Sequence, residues 1–210
     1  MKQAMVMAAV VGLMAASGVN AETGAKADPA KAQQIANTVC IACHGTDGNS
    51  PVLPGVPVNP KLASQHPDYL YKQLTNFKSG ERMNPIMMGM AAALSPEDMK
   101  NLAAYFGGQK LVPAPSADKA LVAQGENIYR GGIAAMGVPA CSGCHGPAGS
   151  GIPAMFPRLA GQYGEYIETQ LKTFRNGERA NDPGKMMQMV AMKMSDQDIK
   201  AVAEYISGLH

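Results

Sequence analysis

Apolar residues recur at helical spacing along most of the chain. The two clearest sets, at positions i, i+4 and i+7, are Leu70, Leu74, Phe77 and Ile167, Leu171, Phe174. Two further sets with matching spacing are Met99, Leu102, Phe106 and Ile199, Val202, Ile206. No segment alternates apolar and polar residues in the way that indicates a strand. The pattern therefore predicts an all-α protein built from short helices.

Residues that favour helix ends lie at the borders of these sets. Ser95 followed by Pro96 is typical of a helix start, with serine as N-cap and proline in the first turn, and Ser195 repeats the serine. Gly80 and Gly177 lie where a helix would end on a residue free to adopt positive φ. Two more helices are predicted to open at Asp28-Pro29 and to run from about Asp118 to Arg130.

The chain is an internal duplication, in which one helical unit occurs twice. Residues 60–65 (PKLASQ) are echoed by residues 157–162 (PRLAGQ). Further matches are Gln73-Leu74, Phe77 and Gly80-Glu81-Arg82, which recur as Gln170-Leu171, Phe174 and Gly177-Glu178-Arg179. We expect an N-terminal domain at 22–110, a linker at 111–118 and a C-terminal domain at 119–210. Because the linker is short, the two domains should touch.

The first 21 residues have the features of an export signal. Lys2 supplies a positive start, residues 4–19 are dominated by Ala, Val and Met, and Val19-Asn20-Ala21 offers small residues for cleavage. Residues 1–21 are therefore predicted to be a signal peptide, and the mature chain to be periplasmic. An uncleaved membrane anchor stays open as the alternative, although the apolar run is short for a bilayer span.

All four cysteines lie in two copies of the pattern Cys-x-x-Cys-His. The copies comprise Cys40, Cys43, His44 and Cys141, Cys144, His145. This pattern is the attachment signature of a c-type haem, in which two thiols bond the porphyrin and the histidine binds the iron. We therefore predict two covalently attached haems c, with His44 and His145 as proximal ligands. Few aromatic residues are present to fill a core, so each domain is expected to be a small helical bundle packed around its haem.

Other uses of paired cysteines remain as alternatives. A thioredoxin-like motif belongs near a βαβ pattern, which this chain lacks. The two pairs could together bind one structural zinc ion, or they could form two disulfides. The histidine that directly follows each pair favours haem over both.

The repeat also selects a candidate sixth ligand for each iron. The chain has 16 methionines, and most methionines in proteins only fill the core. With Ser95 aligned to Ser195, only Met87 coincides with another methionine in this region, Met187. The thioether of methionine is an established haem ligand. We therefore predict His44/Met87 and His145/Met187 coordination, with Met88 and Met186 as the nearest rivals.

Histidine is a poor alternative for the distal positions. Outside the motifs the chain has only His66 and His210, so two bis-histidine irons are excluded for lack of a matched pair. Two six-coordinate irons leave no open position for a substrate, which indicates outer-sphere electron transfer and no enzymatic activity. A formal charge of +2 without a basic stripe argues against nucleic acid as a partner.

Over essentially its whole mature length, the chain resembles the dihaem cytochrome c4 family. The residues that carry the resemblance are both haem motifs, Gly48-Asn49-Ser50, Pro60-Lys61-Leu62-Ala63, Gly80-Glu81-Arg82, Leu94-Ser95 and the segments 121–126, 156–162 and 205–210. The resemblance implies two class I cytochrome c domains related by a pseudo-twofold axis, and axial methionines at Met87 and Met187. One departure is Ala32, where the second half has Gly125, so the terminal helices of the first domain could cross more widely.

The resemblance also implies partners. These would be redox proteins, with a quinol-oxidising complex as a possible donor and a terminal oxidase as a possible acceptor. We expect a monomer that can associate peripherally with a membrane. Two other functions stay open: an electron-accepting subunit of a dehydrogenase complex, and a dihaem peroxidase or thiosulfate dehydrogenase. Arg82 and Arg179 could pair with haem propionates or lie on solvated helix ends.

Overall fold

The computed structural model describes residues 28–114, 118–153 and 155–209. The first half contains α1 (Pro29–Ile35), α2 (Ile41–His44), α3 (Pro67–Ser79), α4 (Pro85–Ala92) and α5 (Pro96–Gly107). The second half contains α6 (Lys119–Gly131), α7 (Ser142–His145), α8 (Gly164–Arg175), α9 (Met186–Ala191) and α10 (Asp196–Ser207). The predicted signal peptide, and residues 115–117 of the predicted linker, lie outside the described residues.

The prediction of an all-α protein is confirmed. Within the described ranges the only extended pairings are isolated bridges, such as the one between Arg82 and Arg179. A π-helical turn at Ala36–Cys40 joins α1 to α2, and 3₁₀ turns occur at Ala134–Met136 and Pro183–Lys185. No helix of the described chain is long and apolar enough to cross a membrane.

The predicted helix ends are confirmed where side chains cap the backbone. Ser95 and Ser195 are the N-caps of α5 and α10, and each makes a reciprocal capping box with the aspartate three residues later. Gly80 follows α3 with φ of 81°, and Gly177 lies one residue beyond the C-cap of α8 with φ of 75°. Both glycines therefore occupy the left-handed region, as the sequence predicted.

Each half has its own apolar core. Members of the apolar sets predicted from helical spacing lie in these cores. Phe77 and Phe106 are buried in the first half, and Phe174 and Ile206 are buried in the second. In the second half α6 crosses α10 so closely at Gly125 that an added Cβ would lie 2.0 Å from the carbonyl oxygen of Ala201. A methyl group has no room at that crossing, which explains the glycine there.

The two halves are in direct contact, as the short linker predicted. The side chain of Gln65 hydrogen-bonds the backbone of Arg158, and the side chain of Gln162 hydrogen-bonds the backbone of Lys61. These two contacts are equivalent under the repeat, because 65 matches 162 and 61 matches 158. The halves therefore meet about a pseudo-twofold axis, and the repeated segments 60–65 and 157–162 lie at the interface.

Candidate functional site

The two predicted proximal histidines are buried and held in the same way. His44 ends α2 and His145 ends α7, and each side chain is 6% exposed. Nδ1 of His44 lies 3.0 Å from the carbonyl oxygen of Pro60, and Nδ1 of His145 lies 3.0 Å from that of Pro157. Each Nδ1–H therefore donates to a carbonyl, which leaves Nε2 as the nitrogen available to bind iron.

Burial also keeps these imidazoles neutral. Loss of water contact lowers the pKa of His44 and of His145, and the hydrogen bond to the proline carbonyl opposes the shift. A neutral imidazole is the form that binds a metal. Both rings thus have the tautomer and the charge that an axial ligand needs.

The four cysteines are not bonded to one another. None of the four forms a disulfide, and no cluster of three or more His, Cys, Asp or Glu side chains that could hold a metal ion occurs in the described part of the chain. The positions of the cysteines in the described residues therefore support neither two disulfides nor a four-cysteine zinc site. Before a haem is attached, burial raises the pKa of the Cys40 and Cys141 thiols to about 11.

One cavity of about 790 Å³ reaches both histidines across the interface. Among the predicted site residues, it is lined by Cys40, Cys43, His44, Met87, Cys141, His145 and Met187. Cys144 is half-buried and is not among the lining side chains. Seven of the eight predicted site residues therefore surround one continuous space in the middle of the molecule.

The cavity also separates the chosen methionines from their rivals. In the first half Met87 lines it, whereas Met88 does not. In the second half both Met186 and Met187 line it, but Met186 is 36% exposed while Met187 packs against the apolar core. Position in the fold thus favours Met87 over Met88 and Met187 over Met186.

Arg82 and Arg179 lie at the interface and are each only 8% exposed. The interpretation that they are solvated helix ends is therefore wrong. Arg82 donates to Tyr166 at 2.9 Å and to Gln170 at 2.7 Å, both in the other half. Arg179 likewise donates across the interface, to Tyr69 at 3.0 Å.

Within the described residues, the partners of these guanidinium groups are side-chain amides and tyrosine hydroxyls, with no carboxylate among them. Arg82 also donates to Gln73, and Arg179 to Gln170, Gln73 and Asn181. Neither arginine has an ion pair with a carboxylate of the described residues. Two buried cations without an anion are costly unless a negative group enters the cavity. A porphyrin with two propionates, placed in this mostly apolar cavity between cysteine, histidine and methionine, meets that need.

Sequence reasoning missed the glutamine and tyrosine side chains of this interface. Gln73 and Gln170 recur in the repeat, and so do Gln65 and Gln162. A glutamine at matching positions of the two repeats was the available signal. The sequence alone does not show which residue of the opposite half each side chain contacts.

Comparison with known proteins agrees with this geometry. A family model described as Cytochrome c matches residues 29–109 and again residues 122–210. Cytochrome c4 of Pseudomonas aeruginosa is 47% identical over 203 residues, which cover 96% of this chain and 98% of that protein. The thiosulfate dehydrogenase electron acceptor of Stutzerimonas stutzeri is 38% identical over 208 residues, covering 97% and 94%. The solved structure of reduced recombinant cytochrome c4 from Pseudomonas stutzeri matches with a TM-score of 0.81 at 44% identity, covering 87% of this chain and 99% of that one.

Proposed function

The chain belongs to the cytochrome c family, and within it to the dihaem cytochromes c4, and from that premise we propose that it is a periplasmic electron carrier. It holds two covalently attached haems c, one for each Cys-x-x-Cys-His motif, and it exchanges electrons with redox protein partners. We propose that electrons leave it toward a terminal oxidase by outer-sphere transfer, and that the protein has no substrate turnover of its own.

Bound haem supplies a one-electron couple between Fe(III) and Fe(II). The chain would anchor each porphyrin through Cys40 and Cys43 in one domain and through Cys141 and Cys144 in the other. His44 and His145 would bind the iron on one side, with their rings oriented by the proline carbonyls at 3.0 Å. We propose Met87 and Met187 as the ligands on the other side.

The buried arginines support a further assignment. We propose that Arg82 and Arg179 pair with haem propionates, because their cationic groups are buried among amides and hydroxyls without a carboxylate partner in the described chain. Charge-assisted hydrogen bonds from a guanidinium to a carboxylate are stronger than those between neutral groups. Such pairs would bring the propionate sides of both haems to the domain interface.

One observation carries the carrier function: in each half a methionine lines the cavity that contains the proximal histidine. A closed coordination shell suits electron transfer and leaves no site for peroxide or another small substrate. Absorption spectra of the purified ferric and ferrous protein test this directly. We expect low-spin c-type spectra, the weak red-end band of methionine-bound ferric haem, and no change on addition of cyanide or carbon monoxide. Ready binding of either ligand would favour the dihaem peroxidase alternative.

A second candidate is an electron-accepting subunit bound to a dehydrogenase. The observation that favours it is the 38% identity to a thiosulfate dehydrogenase electron acceptor over 97% of the chain. Both candidates use the same two haems, so the difference lies in assembly. Affinity capture of the tagged protein from its own cells would recover a stoichiometric catalytic subunit in this second case. A free carrier would instead be recovered as the monomer.

A further inference from the structure

The peptide group that joins Pro60 to Lys61 makes hydrogen bonds at both of its ends. Its carbonyl oxygen accepts from Nδ1 of His44 at 3.0 Å. Its N–H, which belongs to Lys61, donates to Oε1 of Gln162 at 2.9 Å. Gln162 lies in the opposite domain. One peptide group therefore links the proximal histidine of the first domain to a glutamine of the second.

The second domain repeats this arrangement with the partners exchanged. The carbonyl of Pro157 accepts from His145 at 3.0 Å, and the N–H of Arg158 donates to Oε1 of Gln65 at 2.9 Å. Each glutamine is itself held in place by a second bond. Nε2 of Gln65 donates to the carbonyl of Arg158, and Nε2 of Gln162 to that of Lys61, both at 2.9 Å. Oxygen and nitrogen of each amide are thus both fixed, and both glutamines are buried.

We propose that Gln65 and Gln162 are positioning residues that each tune the reduction potential of the haem in the opposite domain. The inference rests on the proposed function, because it takes His44 and His145 as iron ligands. Hydrogen bonds in a chain polarise one another, so an acceptor at the N–H makes the carbonyl of that peptide a better acceptor. The proximal histidine then donates more strongly, and its imidazole gains basicity.

The direction of the effect follows from charge. A more basic imidazole stabilises Fe(III) relative to Fe(II), so a stronger reductant is needed to add the electron. No bond to the protein forms or breaks in that step. Each glutamine should therefore lower the potential of the opposite haem, and its removal should raise it.

The test compares Gln65→Leu and Gln162→Leu in the full-length, haem-loaded protein. Redox titration followed by absorbance gives the two potentials, and the hyperfine-shifted NMR signals of each haem assign them to a domain. Gln65→Leu should raise only the potential of the haem bound by His145, and Gln162→Leu only that of the haem bound by His44. We expect the equilibrium constant for reduction to rise several-fold, where tenfold corresponds to about 59 mV for one electron.

The matched control is Ser64→Ala. Ser64 neighbours Gln65, but its hydroxyl donates to the carbonyl of Gln109 within the same domain, so neither potential should move. If either leucine variant fails to fold, Gln65→Met and Gln162→Met serve in its place. Shifts in the haem of the mutated domain, equal shifts in both haems, or no shift would each overturn the inference. High-spin spectra or ligand binding in the unmutated protein would instead overturn the proposed function.

Discussion

Met87 and Met88 are neighbours on α4, yet only Met87 lines the cavity that contains His44. The N-cap of this helix helps to set that orientation, because the side chain of Asn84 accepts the backbone N–H of Met87 at 2.9 Å. We expect Met87→Ala to remove the red-end band of one haem and to open that iron to carbon monoxide. Absorption spectra of the ferric and ferrous variant measure both effects.

Met88→Ala is the control for this prediction and should leave both haems six-coordinate. The same comparison in the second domain uses Met187→Ala and Met186→Ala. Loss of the band in Met88→Ala or Met186→Ala, with retention in Met87→Ala or Met187→Ala, would show that the ligand assignment is wrong.

Ser50 makes the first domain differ from the second at the proximal hydrogen bond. Its buried hydroxyl donates to the carbonyl of Pro60 at 2.6 Å, so this oxygen serves Ser50 and His44 at once. The equivalent residue after His145 is Gly151, which has no hydroxyl. A second donor weakens the carbonyl as an acceptor for His44, and this makes the imidazole less basic.

Ser50→Ala should therefore lower the potential of the haem bound by His44. A net hydrogen bond is worth about 1 kcal/mol, which corresponds to about 40 mV for one electron. Redox titration of the variant measures the shift, and the haem bound by His145 serves as the internal control. This sign is opposite to that expected for Gln162→Leu, which acts on the same peptide group. An upward shift after Ser50→Ala would contradict the account.

Gln162 and Ser50 also show which residues of the site could not be assigned a role from the sequence. The cysteines and histidines follow from a local motif, and the methionines from the repeat, because these signals need no knowledge of contacts. Gln162 acts on Lys61, which lies 101 positions away in the chain, so its role depends on how the halves pack. Ser50 was part of a recognised segment, but its acceptor was not predictable from spacing alone.

Helix α5 begins with a capping box that is reinforced from α1. The carboxylate of Asp98 accepts from the backbone N–H of Ser95 at 3.0 Å and from its hydroxyl at 2.7 Å, and Lys31 lies 2.7 Å away. The hydrogen bond from Lys31, followed by those from Ser95, lowers the pKa of Asp98 from 3.8 to about 2. Asp98 therefore links α1, the first helix of the domain, to α5, the last.

The pH dependence of stability follows from that shift. Because the pKa is lower in the folded state, ionised Asp98 stabilises the fold above about pH 4, and this contribution is lost as the pH falls toward 2. Asp98→Ala should reduce the free energy of unfolding by roughly 1 kcal/mol at neutral pH and flatten its decline in acid. Urea unfolding at several pH values measures both. Lys31→Met should reproduce only part of the loss, and an unchanged acid slope in Asp98→Ala would contradict the assignment.

The sequence patterns that predicted the helices involve residues that are close together in the chain. Capping residues such as Ser95 and the positive-φ residue Gly80 specify helix ends through neighbours in the chain, so they were readable from sequence. The π-helical turn at Ala36–Cys40, which continues α1 into the first haem motif, was not. Its geometry depends on the packing of the motif beside the cavity.

In the whole molecule, the duplication predicted two domains and the short linker predicted their contact, but neither predicted the polar character of the interface. Its centre is a network of amides, hydroxyls and guanidinium groups, in which Gln73 accepts from both Arg82 and Arg179. The two arginines thus meet at one side chain and each also contacts the opposite domain. A charge at this position should act on both haems, whereas Gln65 and Gln162 are each expected to act on one.

This contrast gives a prediction for Arg82. Removal of a buried positive charge stabilises Fe(III) relative to Fe(II), so Arg82→Met should lower both potentials. At an effective dielectric constant near 20, a unit charge about 17 Å away contributes about 1 kcal/mol, or about 40 mV for one electron. Arg82→Lys, which keeps the charge and loses the planar fork, is the control and should retain most of the unmutated values. Redox titration of both variants measures the two potentials. A shift confined to one haem, as expected for Gln65→Leu and Gln162→Leu, would contradict this prediction. Arg82 would then act on one domain alone, and the interface would have no shared electrostatic centre.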